Sequence, residues 1–192
     1  MKNKKRNTTT KSIVCCALLA ALSIILARVL SIAVPGGVRW SFDKFPLFLA
    51  GMLFGPIYGG LTGFTADFLG SLMQFGFNPL LCPPAILYGV FGGLFRYFIA
   101  KNPSILRISL SYAFPIIFGS ILYQSCTLSY LYFEGAWFDG LLYNLGTRSI
   151  QFAITLVVEV FIIFSVTKVN VFGRLGVWPP HKRKEVTSDD GK

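Results

Sequence analysis

Apolar residues fill this chain in long blocks parted by short polar stretches, and the blocks have the length of membrane spans. Residues 12–34 are almost uninterruptedly apolar, enough for a helix to cross a hydrocarbon core of about 30 Å at ~1.5 Å per residue. The pattern recurs over residues 85–100, 108–131 (with Pro115 inside) and 145–166, each predicted as one span. The block over 45–70, FPLFLAGMLFGPIYGGLTGFTADFLG, is different. One helix over 44–73 would reach about 45 Å, too long for one upright span and too short for two. Proline removes a helix donor and clashes with the preceding turn, so Gly55-Pro56 predicts two short helices joined by a tight turn.

Charge placement then sets the topology. Fourteen of the eighteen Lys and Arg residues lie in three flanking segments: before the first span, around Lys101, and in the tail after residue 166. Counting the 45–70 block as two crossings puts all three segments on one side and the acidic Glu134 loop on the other. The expectation is an all-α integral membrane protein of six spans with both termini cytoplasmic, in a multi-pass arrangement in a prokaryotic-type plasma membrane. Residues 1–11 are expected to be a basic, unstructured leader, 12–168 one transmembrane domain, and 169–192 a basic cytoplasmic tail. The first apolar run is too long for a signal-peptide core and reads as a retained span.

Composition excludes several functions. With 54% hydrophobic and 14% charged residues, there is no room for a sizeable soluble domain. The net charge of +10 reads as a topology signal, not a nucleic-acid surface. The four cysteines show no metal-ligand spacing. The single histidine, His181, sits in the tail, no carboxylate pair has catalytic spacing, and there is no Walker A loop. No catalytic residue, metal or cofactor is predicted. The chain reads as a binding protein that cannot by itself power transport with ATP.

Ionisable residues inside the spans are costly in lipid and are candidates for function. They are Arg28, Asp67, Arg148 and Glu159. Asp67, among small neighbours, admits a structural hydrogen-bonding role or a place in a site. Glu159, eleven residues beyond Arg148, is too far along the helix for a direct pair and reads as structural or coupling. Arg148 lies near the hydroxyl and amide groups of Asn144, Thr147 and Gln151. The first outer loop carries Arg39, Trp40, Phe42 and Asp43, which fit either an interfacial anchor or a lid over a solute. Guanidinium groups bind carboxylates as a fork, so Arg39 and Arg148 suit an anion with a flat ring system. Gln74, Asn78, Tyr88, Gln124 and Tyr143 can converge from the outer halves of the spans, with Phe75, Phe77 and Trp137 as stacking partners. In the first span Ala17 and Ala21 share one face and permit close approach of another helix.

These blocks resemble the substrate-binding S components of energy-coupling factor (ECF) vitamin transporters, most closely the folate-specific ones. The resemblance is carried by Ala17 and Ala21, by PLFLAGMLFGPIYGGLTGFTADFLG, by QFGFNP leading to ILYGVFGGLFR, and by LLYNLGTRSIQ opening the last span. It implies a six-helix monomer without enzymatic activity. Such a protein captures folate or a related vitamin at the outer face and delivers it to a membrane coupling subunit and two cytoplasmic ATPases. It also implies that Ala17 and Ala21 touch the coupling subunit and that the Arg39–Asp43 loop closes over the ligand. The alternatives are an S component for another vitamin or heteroaromatic precursor and, further off, a stand-alone transporter or a membrane enzyme.

Overall fold

The computed structural model describes residues 2–29, 31–34, 38–73, 76, 78–101, 103–132 and 137–169, with side chains from Thr10 onward except over 32–40. The basic tail beyond residue 169 and the Glu134 loop lie outside the described residues. Helix α1 spans Lys2–Val29. The leader is therefore helical, a correction to the expected unstructured segment. It contains no glycine or proline, so the helix nucleated by the apolar run extends through it.

The first span ends earlier than its hydropathy indicates. Strands β1 (Ile32–Val34) and β2 (Val38–Trp40) pair antiparallel with Ala33 opposite Arg39. The regular elements among the described residues are thus helical apart from this pair of short strands. Pro35-Gly36-Gly37 is turn composition, and the β-branched residues beside it suit short strands as well as a helix end.

Two short helices follow, as the glycine–proline break predicts: α2 (Lys44–Phe54) and α3 (Pro56–Leu72). Gly55 adopts φ 103°, a region that disfavours side chains, and its N–H closes α2 by donating to the Gly51 carbonyl at 2.7 Å. Pro56 opens α3, where its missing N–H costs nothing. Leu47, Phe48, Leu49, Met52 and Leu53 of α2 are all buried, so this helix is the hydrophobic centre of the bundle. At 11 residues α2 is about 16 Å long, roughly half the hydrocarbon thickness.

After a 3₁₀ turn at Pro79–Leu81 come α4 (Pro83–Leu94) and α5 (Arg96–Lys101), so the predicted fourth span is broken at Phe95. Helix α4 lies backbone to backbone on α2 and α3. A Cβ on Gly89 would sit 2.0 Å from the Gly59 carbonyl oxygen, and one on Gly51 would sit 1.9 Å from that of Gly89. Glycine is required at this crossing because any side chain would drive the helices apart.

The next helical stretch is α6 (Ile105–Pro115), a π-helical segment (Ile116–Tyr123) and α7 (Gln124–Tyr132). Pro115 supplies no N–H to the helix ladder, and the wider π turns begin directly after it. Helix α8 (Trp137–Lys168) begins eight residues before the expected span, drawing Trp137 and Tyr143 out of the predicted loop. Among the described residues, three helical stretches are long and apolar enough to cross a membrane: Thr10–Val29, Ile105–Tyr132 and Trp137–Lys168.

Candidate ligand-binding site

Helix α8 builds the site because its polar residues fall in register. Successive residues turn by about 100°, so positions separated by seven and eleven return to nearly the same face. Arg148, Thr155 and Glu159 form such a row, flanked by Gln151. Gln151, Thr155 and Glu159 are buried, and Arg148 is half-buried toward the hairpin end. Strand β2 packs against α8, which brings the hairpin over this helix.

Opposite the row stand two tyrosines with no exposed surface, Tyr88 on α4 and Tyr112 on α6. Their ring centroids are 5.5 Å apart, and Phe48 meets Tyr112 edge-on at 4.9 Å. The Tyr88 hydroxyl lies 2.9 Å from Ser120 Oγ, on the π segment. The wider backbone there presents a serine where a regular helix would have rotated it away. The Tyr112 hydroxyl donates to Glu159 Oε2 at 2.8 Å, while Glu159 Oε1 has no hydrogen-bond partner among the described residues. Arg148 faces Tyr88, and no carboxylate among the described residues lies within ion-pair distance of its guanidinium. One wall thus runs from a cation without a counter-ion, past two phenols, to a carboxylate with one oxygen unused.

Other expected residues fall elsewhere. Asp67 turns toward α1 and lines a polar cavity of about 80 Å³ with Ser23, Arg28, Asp43, Lys44 and Gly70. There Arg28 donates to the Gly70 carbonyl, Ser23 donates to the Asp43 carbonyl at 2.7 Å, and Lys44 pairs with Asp43 at 2.9 Å. Asp67 Oδ2 and Arg28 Nε remain unpartnered there among the described residues. This cavity ties the hairpin's exit to α1 and α3, and its volume suits a few waters, not a vitamin.

Asn78 accepts from the Leu80 N–H at 3.0 Å and so caps the 3₁₀ turn. Phe42 and Gln124 are half-buried, while Trp137 and Tyr143 are exposed on the first turns of α8. Arg39 and Trp40 stand on β2, but their side chains lie outside the described residues, as do Gln74, Phe75 and Phe77. Ala17 and Ala21 are exposed on α1. An apolar groove of about 470 Å³ between α6 and α8, lined by Ile105, Leu156, Val157 and Phe161, suits hydrocarbon and not an anion.

Sequence reasoning missed Tyr112 and Ser120 and gave Glu159 no place in the site. The spacing from Arg148 to Glu159 was the available signal, since eleven residues return a side chain to the same helix face.

An apolar helical bundle with a polar row running inward from one end is the architecture of a membrane-embedded solute-binding protein. The family model described as "ECF-type riboflavin transporter, S component" matches residues 7–168, and the chain belongs to that family. The chain is 35% identical over 101 residues to a protein named "Folate transporter FolT" from Clostridium novyi (strain NT). That match covers 50% of this chain and 55% of the relative, so the chain spans about half the length of the curated relative it matches. A solved structure described as "Crystal structure of FolT bound with folic acid" superposes with a TM-score of 0.66 at 26% identity. It covers 80% of this chain and 90% of that one. These matches agree with the resemblance carried by the 45–70 block and the LGTRSIQ opening of the last span.

Proposed function

We propose that this protein is the folate-binding S component of an ECF transporter. It captures folate at the hairpin end, which faces outward, and passes it through the membrane with a coupling subunit and two cytoplasmic ATPases. The observation that carries this reading is Arg148: a half-buried guanidinium on the polar row of α8, with no carboxylate partner among the described residues. A buried cation without a counter-ion is a ready site for an anionic ligand group, and folate brings two carboxylates. The two matches to folate proteins support the same ligand. Arg39, Trp40 and Phe42, on and after β2, close over it, with Tyr88 along the wall.

In this reading the chain makes six crossings with both termini cytoplasmic, resides in the plasma membrane among lipid, and binds without catalysing a reaction. Ala17 and Ala21 form the face that meets the coupling subunit. The family model's description favours a second ligand, riboflavin, which carries no carboxylate and leaves Arg148 without a partner.

The test is tryptophan fluorescence of purified protein in detergent, titrated in parallel with folic acid and riboflavin. Saturable quenching by folic acid alone is expected. Quenching by riboflavin with none by folic acid would replace the folate reading with the riboflavin one.

A further inference from the structure

Glu159 is the one buried acid of the α8 row, and the geometry around it resembles half of a recognition site. Its side chain is 1% exposed. Oε2 is held by Tyr112, and Oε1 has no hydrogen-bond partner among the described residues. The groups facing it are Tyr112 from α6, Asp43 and Lys44 at the start of α2, and the Phe45 amide in the first turn of that helix. Lys44 pairs with Asp43 at 2.9 Å and also favours the charged form of Glu159 across space, without hydrogen-bonding its free oxygen. The Phe45 N–H gives the carboxylate some support, but Oε1 still lacks a full hydrogen bond, which is unfavourable for a buried oxygen, and a bound ligand is a natural source of one.

The chemistry of the missing donor follows from the acceptor. A carboxylate accepts two parallel N–H bonds from groups on adjacent atoms. With Oε2 also receiving the Tyr112 hydroxyl, the carboxylate still has lone pairs for such a pair. The amino-pyrimidinone edge of a pterin presents that arrangement, an exocyclic 2-amino group beside a ring N–H. The equivalent edge of a flavin presents one N–H flanked by two carbonyl oxygens, which a carboxylate repels.

Position agrees with this. Eleven residues of helix separate Arg148 from Glu159, about 16 Å along α8. That is comparable with the extended span from the pterin edge of folate to its glutamate carboxylates. Tyr88 and Tyr112, 5.5 Å apart, stand along the same wall.

We propose that Glu159 is the deep recognition residue of the site, accepting the amino-pyrimidinone edge of the ligand. The ligand then lies along α8 ring-first, with its carboxylates at Arg148. This rests on the folate reading above and adds the residue that separates pterins from flavins.

The experiment compares folic acid with 2-desamino-2-methylfolic acid, on the full-length protein and on its Glu159→Gln variant in detergent. Wild-type protein should bind the analogue about 10- to 100-fold more weakly, the loss expected for a buried hydrogen bond to a charged group. Glu159→Gln should lose a similar factor for folic acid and discriminate far less between the two compounds. If Glu159→Gln does not fold, Glu159→Asp takes its place, since it keeps the charge but withdraws the acceptor by one methylene and should likewise lose discrimination. Wild-type protein that binds both compounds equally, or a folded variant that keeps full affinity and discrimination, overturns the role of Glu159 and leaves the folate reading standing. Wild-type protein that binds neither compound overturns the folate reading itself, and this inference with it.

Discussion

Tyr112 and Glu159, 47 positions apart in the chain, meet in the bundle interior through a 2.8 Å hydrogen bond from phenol to carboxylate. Phe48 packs edge-on against the same tyrosine ring, so the position of the donor is fixed by the core around α2. Tyr112→Phe keeps the ring contacts and removes the side-chain donor, leaving the buried carboxylate only the Phe45 N–H among the described residues. The expected loss of stability is about 1–3 kcal/mol, read as a lower thermal midpoint in detergent without ligand. An unchanged midpoint would show that the bond carries no net stability.

The glycine crossing makes a sharper prediction. Gly89→Ala would place a Cβ 2.0 Å from the Gly59 carbonyl oxygen, an approach that only helix separation relieves. Loss of the monodisperse peak in size-exclusion chromatography is expected. Gly146→Ala is the control, since nothing lies within 4 Å of its Cβ. There the helix should gain up to about 1 kcal/mol from the lower backbone entropy of alanine. Equal behaviour of the two variants would mean that α3 and α4 do not meet through these glycines.

Arg148 should dominate affinity for the anionic end of the ligand. Arg148→Met is expected to weaken folic acid binding about 100-fold or more. Arg148→Lys should recover only part, because an ammonium lacks the planar fork. Isothermal titration of the three proteins checks this. Wild-type affinity in folded Arg148→Met would place the carboxylates elsewhere.

Ala17 and Ala21 are exposed on α1, away from the α8 row. Ala17→Trp or Ala21→Trp should therefore leave folic acid binding within about two-fold of wild type while abolishing uptake by cells that supply the coupling subunit and ATPases. Close helix approach is lost when a large side chain replaces a small one. Normal uptake by both variants would remove this face from the coupling interface.

Much of the architecture was legible in the residues. Gly55-Pro56 announced the α2–α3 break because the left-handed φ and the absent N–H are local properties. The length of the apolar blocks marked, for the same reason, the helical stretches that are long and apolar enough to cross a membrane, while the block over 85–100 divides at Phe95. The face of α8 was also present in the spacing of Arg148, Thr155 and Glu159. Hydropathy misjudged the residues after Val29, where apolar β-branched positions form a strand, and the start of α8, where the aromatic and leucine residues from Trp137 to Tyr143 extend the helix beyond the expected span.

What tertiary structure alone decided was the role of each acid. Asp67 and Glu159 look alike in the sequence, each the lone carboxylate of an apolar block. The crossing of α3 with α1 carries Asp67 to Arg28 and a small polar cavity. The packing of α8 on α6 carries Glu159 to Tyr112. A side chain's helical face is a matter of local geometry, but the partner waiting on that face depends on how closely neighbouring helices approach. Here that approach is set by backbone contacts such as Gly59 against Gly89, between residues 30 positions apart, which no periodicity within one helix encodes.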